Sequence, residues 1–435
     1  MSTDSSYAAV KVRLSVMMFL QYAIWGAWLP LLWSFLHDYR KFDASQIGNM
    51  FAVGAVGALL APFVAGQIAD RHFATQKFLG ISHLIGGVLV WQLASIESYS
   101  GFLIFSLVYS IIYSPTLPLT NSLAFHHMAD RDRDFGRVRV WGTVGWIAVG
   151  IGIGQWLLRV HTPADATPEV AMAAQTQGMA DAFRLSGILG IAMGLYCFTL
   201  PRTPPSKSGA QYASLEAMAA VRRNPLLTLF ALAIPISCIH QFYFVHTAKF
   251  LGTFQSETAS SINEWFGVGG GGMMTIGQIS EIVVLMLIPL VARQWSRKTL
   301  LGIGIVAYIA RMALFAHVSA IASATGLPQE AILIPAVALH GLCFGCFIFV
   351  AFMIVDEETT AAVRASAQSL FNLVIIGVGT IVGSKVAGWV ADWAGSETGE
   401  TLDYTRLFSV PMWAGVACLS ILVVCYPGRR VSASN

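Results

Sequence analysis

The chain has 435 residues, of which 56% are hydrophobic and 11% charged, with a formal net charge of +3. Soluble domains carry about 25% charged residues, so too little charge is present to cover a water-facing surface. That excludes a soluble enzyme, a nucleic-acid binder and a disordered scaffold, and points to a polytopic membrane protein.

A helix needs about 20 mostly apolar residues to cross the hydrocarbon. Lys11 and Arg13 precede an uncharged run at 14–37. A cleavable signal has an apolar region of only about 7–15 residues, so this run reads as an uncleaved first span. Further spans are predicted at 45–69, 78–96, 101–125, 140–160 and 183–201. After a break they resume at 225–248, 265–292, 299–321, 330–355, 366–391 and 407–427. β-Barrel strands would appear as alternating segments of about ten residues, which these runs do not resemble. The expected fold is therefore all-α, with twelve transmembrane helices and no extramembrane domain.

The spans divide into a first six-helix half at 1–201, a linker at 202–224 and a second six-helix half at 225–435. The linker opens with Pro204-Pro205-Ser206-Lys207-Ser208-Gly209, a flexible stretch. It closes with a pattern at 212–218 suited to a short interfacial helix. If both termini are cytoplasmic, eighteen of the twenty-six Lys and Arg fall on that side and six on the other. The positive-inside rule is then satisfied, and an even number of spans is required. Two six-span halves joined by a basic cytoplasmic linker is the plan of secondary transporters, with the substrate site near the midplane. A membrane enzyme could share that plan, so the site must decide.

Polar residues inside the spans carry the chemistry. Glu281 lies near the middle of predicted span eight, where an ionised side chain costs about 2.5–3.5 kcal/mol and must face a cavity or a partner. Such a carboxyl suits proton binding and release, or else forms a structural ion pair. Gln278 sits one turn earlier on the same face. Arg139, Thr143 and Trp146 share one stripe of span five, a cation, a hydroxyl and an indole that suit a flat polar ring with sugar hydroxyls. Alternatively, Arg139 snorkels to the membrane interface. His240 and Gln241 are polar in span seven and precede Phe242, Tyr243 and Phe244; His340 and Phe344 repeat the theme in span ten. Each histidine reads either as a ligand to substrate or as a satisfied core residue.

Other motifs point away from catalysis. Cys343-x-x-Cys346 lacks a second pair and lies in an uncharged run, so it reads as buried small residues, with no metal site and no cofactor. The glycine-rich run from Gly267 to Gly272 lacks the Lys and Ser/Thr of a phosphate loop and reads as close packing or a hinge. Pro115, Pro118 and Asn121 predict a kinked span four. A lipid-acting enzyme would need a nucleophile–base pair or an acidic metal motif at the interface, and the sequence offers neither, so the chain is not read as an enzyme.

Between spans two and three, Gly66-Gln67-Ile68-Ala69-Asp70-Arg71 reads either as a capped turn or as a latch. It resembles the signature of the major facilitator superfamily, where acid and base hold the two halves and part as the transporter rocks. His72-Phe73-Ala74 replaces the usual glycine and basic residues, and the matching loop after span eight has Arg293, Arg297 and Lys298 but no acid.

Five further stretches resemble the nucleoside:proton symporter family of that superfamily. They are Gln21 to Trp28, Ser114 to Asn121, Arg139 to Trp146, Gln278 to Glu281, and Arg364 to Gln368. The resemblance implies import of purine and pyrimidine nucleosides across a bacterial inner membrane, driven by the proton gradient; the chain is expected to act as a monomer with both termini cytoplasmic. It implies a cavity with Arg139, Thr143 and Trp146 from the first half and Gln241, Phe244, Gln278, Glu281, His340 and Phe344 from the second. Gln278 and Glu281 would bond the ribose and base, the aromatic residues would stack on the base, and Glu281 would carry the proton. Phe244 stands where the family has an amide, His340 where it has a tyrosine, and Gly345 where it has an intramembrane aspartate. Loss of that acid leaves three outcomes open: Glu281 carries the proton alone, His340 substitutes for the acid, or the chain is an uncoupled facilitator; the same scaffold could also take a sugar or a modified nucleoside.

Overall fold

A computed structural model describes residues 2–64, 74–128, 131–204, 219, 221–254, 256–268, 272–292, 294–359, 364–395 and 402–427. Their regular structure is helical apart from one isolated bridge between Gly395 and Leu402. Among the described residues, nine helices are long and apolar enough to cross a membrane. They are Tyr7–Tyr39, Tyr99–His126, Arg137–His161, Pro168–Cys197, Leu226–Gly252, Arg297–Ala316, Gln329–Glu357, Leu370–Ala394 and Tyr404–Cys425. These match predicted spans one, four to seven and nine to twelve. The other three positions are helical too. Ala44–Leu60 and Met273–Ile288, both shorter and apolar, stand at spans two and eight, and Thr75–Leu93 stands at span three. The chain is thus an all-α, multi-pass membrane protein, and its helices carry the ordinals of the predicted spans.

Two local departures have clear causes. Span four is broken at Ser114 and Pro115 into Tyr99–Tyr113 and Thr116–His126, because proline supplies no N–H to the helical ladder. Span eight was expected from residue 265 but begins at Met273. Gly267 (φ +78°) and Gly272 (φ +55°) take left-handed conformations that end any helix entering them. Trp265 and Phe266 belong instead to a separate helix, Glu257–Phe266, whose cap Ser256 accepts a hydrogen bond at Oγ from the Ala259 N–H at 3.0 Å. The close packing expected of the glycine run holds at Gly267, where a Cβ would meet the backbone of Gly154 on span five.

The chain divides into two compact units, Met1–Ser208 with Val245–Thr275, and Gly209–Phe244 with Ile276–Asn435. In the first, span one packs on span five and span three on span six. Between membrane helices there is little hydrophobic driving force, so close association relies on small residues that let backbones approach. A Cβ at Gly145 would fall on the carbonyl oxygen of Phe19, and one at Gly26 would lie 2.7 Å from that of Trp146. The same unit contains a buried polar node. Gln21, on span one, donates from Nε2 to Thr116 Oγ1 at 2.9 Å and accepts at Oε1 from His83 Nε2 at 2.9 Å. The Tyr113 hydroxyl donates to the Gln21 carbonyl, and Thr116 donates to that of Tyr113. Spans one, three and four are tied by a circuit in which every bond has a donor and an acceptor.

In the second unit, span nine packs on spans ten and twelve. Gly304 of span nine lies against the Phe347 backbone, and Gly341 of span ten lies against Ser280 of span eight. Ser280 Oγ accepts from the Gly341 N–H at 3.0 Å and donates to the Ala338 carbonyl. Span ten widens into a π-helical turn at Cys343–Phe349 immediately beyond this crossing.

The one–five contact predicts a sharp difference between two glycines of span five. Gly145→Val must push the Phe19 backbone away and should destabilise the detergent-solubilised protein by about 1–3 kcal/mol. Gly152→Ala meets nothing within 4 Å and removes a flexible glycine from a helix interior, so thermal stability should hold or rise slightly, by up to about 1 kcal/mol. Melting followed by size-exclusion chromatography checks both.

Candidate functional site

The second unit brings a chain of polar side chains into the membrane-spanning layer. Glu281 is the ninth of nineteen residues in Met273–Val291, and its side chain is 17% exposed. Its Oε2 lies 3.4 Å from Nε2 of His340 on span ten. The other ring nitrogen of His340, Nδ1, lies 2.9 Å from Nη1 of Arg311 on span nine. Arg311 is fully buried. Its guanidinium carbon sits 4.4 Å from the Tyr243 ring centroid and 5.2 Å from that of Tyr308. Nε and Nη2 of Arg311 have no hydrogen-bond partner among the described residues. Two aromatic faces therefore supply much of what offsets its lost hydration.

The aromatic residues form one cluster with the histidines. The rings of Tyr243 and His340 stack at 4.4 Å, and those of His240 and His340 at 5.5 Å. Phe244 meets His240 edge-on at 5.1 Å, and Phe344 lies 6.4 Å from the same ring. The Tyr308 hydroxyl bonds His240 Nδ1 at 2.7 Å. Glu281, His340, Phe244 and Phe344 are thus gathered around one centre. Gln278 is half-buried one turn before Glu281, and the adjacent Gly277 passes against the Tyr243 hydroxyl. Gln241 is buried on span seven, where Gly383 of span eleven crosses it. Gly345 packs on span eight, where a Cβ would lie 2.6 Å from Cγ1 of Val284. Cys343 and Cys346 are buried on span ten.

Arg139, Thr143 and Trp146 belong to the first unit, and all three are half-buried. The Arg139 guanidinium lies 4.0 Å over the Tyr22 ring of span one, and Gly142 lets the two side chains meet. Gly66, Asp70 and Arg71 lie outside the described residues, as do Gly269 to Gly271 and the segment 212–218.

Two groups escaped the sequence reading. Arg311 was visible as a lone cation inside span nine, the signal by which Glu281 was singled out. His83 carried no such signal, because its partner Gln21 is 62 residues away.

The comparisons with known proteins agree with this architecture. The chain is 32% identical over 380 residues to YegT of Escherichia coli, covering 86% of this chain and 83% of that protein. It is 27% identical over 395 residues to the nucleoside permease NupG of Escherichia coli, covering 88% of each. The crystal structure of NupG superposes with a TM-score of 0.80 at 24% identity, over 97% of this chain and all of that one, which assigns the fold of the major facilitator superfamily. The family described as nucleoside H+ symporter matches residues 8–429, nearly the whole length, and the chain belongs to that family.

Proposed function

We propose that the chain imports nucleosides across a bacterial inner membrane in symport with protons, by alternating access of its two six-helix halves. In this reading both termini are cytoplasmic and one chain suffices. The observation that carries it is Glu281, a carboxyl in mid-helix within a membrane-spanning layer, beside a histidine whose ring belongs to an aromatic cluster. Intramembrane acids are costly and are kept where they bind substrate or protons. Gln278 and Glu281 bond ribose and base, Phe244 and Phe344 stack on the base, and His340 and Gln241 complete the second half's contribution. Arg139, Thr143 and Trp146 are the first half's contribution. Gly66, Asp70 and Arg71 form the latch that parts as the halves rock. Glu281 takes up the proton on one side and releases it on the other.

Uptake of radiolabelled uridine and adenosine into proteoliposomes, with and without an inward proton gradient, tests this. The wild type should accumulate nucleoside above equilibrium only with the gradient, and unlabelled nucleosides should compete where sugars and free nucleobases do not. Glu281→Gln should abolish gradient-driven accumulation, a loss of about tenfold or more in initial rate. Absence of nucleoside uptake in either condition overturns the substrate reading, and competition by sugars points to another polar metabolite.

One observation favours a second reading, uncoupled facilitated diffusion. Gly345 stands where the resemblance implies a second acid, and the helix crossing leaves no room for one. Gly345→Asp should lower the yield of folded protein, because the new side chain strikes Val284, at a cost of about 1–3 kcal/mol. Adding Val284→Ala removes the offending methyl and should restore the yield, as read by size-exclusion chromatography. Wild-type uptake that only equilibrates, whatever the gradient, would establish the facilitator.

A further inference from the structure

Arg311 has no part in the mechanism just given, yet it is fully enclosed. Its contact with His340 fixes more than a distance. A guanidinium has donors only and keeps its charge in proteins, so Nδ1 of His340 must accept the 2.9 Å bond from Nη1. The neutral imidazole then carries its single proton on Nε2, the nitrogen that faces Glu281 Oε2 at 3.4 Å. One hydrogen bond and one close polar contact therefore run in a single direction, from Arg311 through His340 to Glu281, and join spans nine, ten and eight. Each link is held from the side. Tyr243 and Tyr308 each present a ring to the guanidinium, and Tyr243 and His240 each stack with the His340 ring.

We propose that Arg311 is a positioning residue for transport, acting through His340 to set the tautomer that donates to Glu281 and so to hold the substrate-binding carboxylate in place. The role of Glu281 is taken from the function proposed above; the tautomer is not, and can be read without any substrate.

Purified protein carrying 15N-labelled histidine provides that measurement, with His340 assigned by the signal lost in His340→Gln. The wild type should show His340 protonated on Nε2 alone, and Arg311→Met should redistribute the proton between the two nitrogens. A wild-type ring protonated on Nδ1, or a spectrum unmoved by Arg311→Met, overturns the proposal.

Uptake kinetics then test the consequence. Arg311→Met and His340→Phe should each raise the nucleoside KM about tenfold, with a smaller change in Vmax. The double variant should be no worse than either single one, because both break one chain. His340→Gln should recover most of the loss of His340→Phe, since its amide oxygen can accept from Arg311 while its NH2 donates to Glu281. Additive losses, or a fall in Vmax at constant KM, would mean that Arg311 serves the fold alone. If Arg311→Met does not yield folded protein, Arg311→Lys retains a donor to Nδ1 and should keep KM close to wild type, while an unchanged KM in His340→Phe refutes the relay. If wild-type protein takes up no nucleoside, the transport reading falls and the nitrogen spectra alone decide whether Arg311 sets the tautomer.

Discussion

Hydrocarbon offers no water to an unpaired polar group, and the second unit fully encloses an arginine, Arg311. A charge at that depth costs about 2.5–3.5 kcal/mol on insertion scales, and its removal from water is offset only by well-placed partners. Span seven supplies the Tyr243 face, span nine the Tyr308 face and span ten the His340 acceptor. Because the partners come from separate helices, satisfying the charge fixes how those helices stand together. Glu281 then stands beside a histidine whose proton is already committed.

The first unit meets the same constraint without a net charge. Gln21 has both a donor and an acceptor at its tip, and each is used, toward Thr116 and His83. A buried amide with one side unmet would cost about 1–3 kcal/mol, so a node this complete specifies the register of spans one, three and four. Around it, glycines bring spans one and five to backbone contact, which places Tyr22 beneath Arg139. Polar satisfaction and small-residue packing act together: the first selects one arrangement and the second makes it close.

How far the sequence announced this varies with the kind of signal. The spans were readable because hydrocarbon excludes charge, and helices stand at every predicted position. The start of span eight was not, since glycines count as uncharged in a hydropathy run and only their positive φ ends the helix. Glu281, Gln278, His340 and Phe344 were readable as polar or aromatic groups at helical spacing. The fate of a lone cation was not. Arg311 and Lys385 give the same signal, one charge within an apolar run, yet Lys385 is exposed and Arg311 is fully buried. What separates them is Tyr308 one turn earlier on the same helix together with Tyr243 and His340 on two other helices, and those two no single run records. The departure at Gly345 was visible as a missing acid, while its steric reason, Val284 on the neighbouring span, needed the crossing itself.

The π-helical turn at Cys343–Phe349 has a consequence for comparing this transporter with its relatives. A π turn is an α-helix that has taken up an extra residue, so positions beyond it are rotated relative to those before it. His340 precedes the wide turn and Gly345 lies inside it. Counting residues from a shared landmark on one side would therefore assign the wrong helical face on the other, by about 100° for each residue absorbed. Equivalence along span ten is an angular question before it is an ordinal one. A relative lacking the wide turn would present a different neighbour to Val284 even where the letters align.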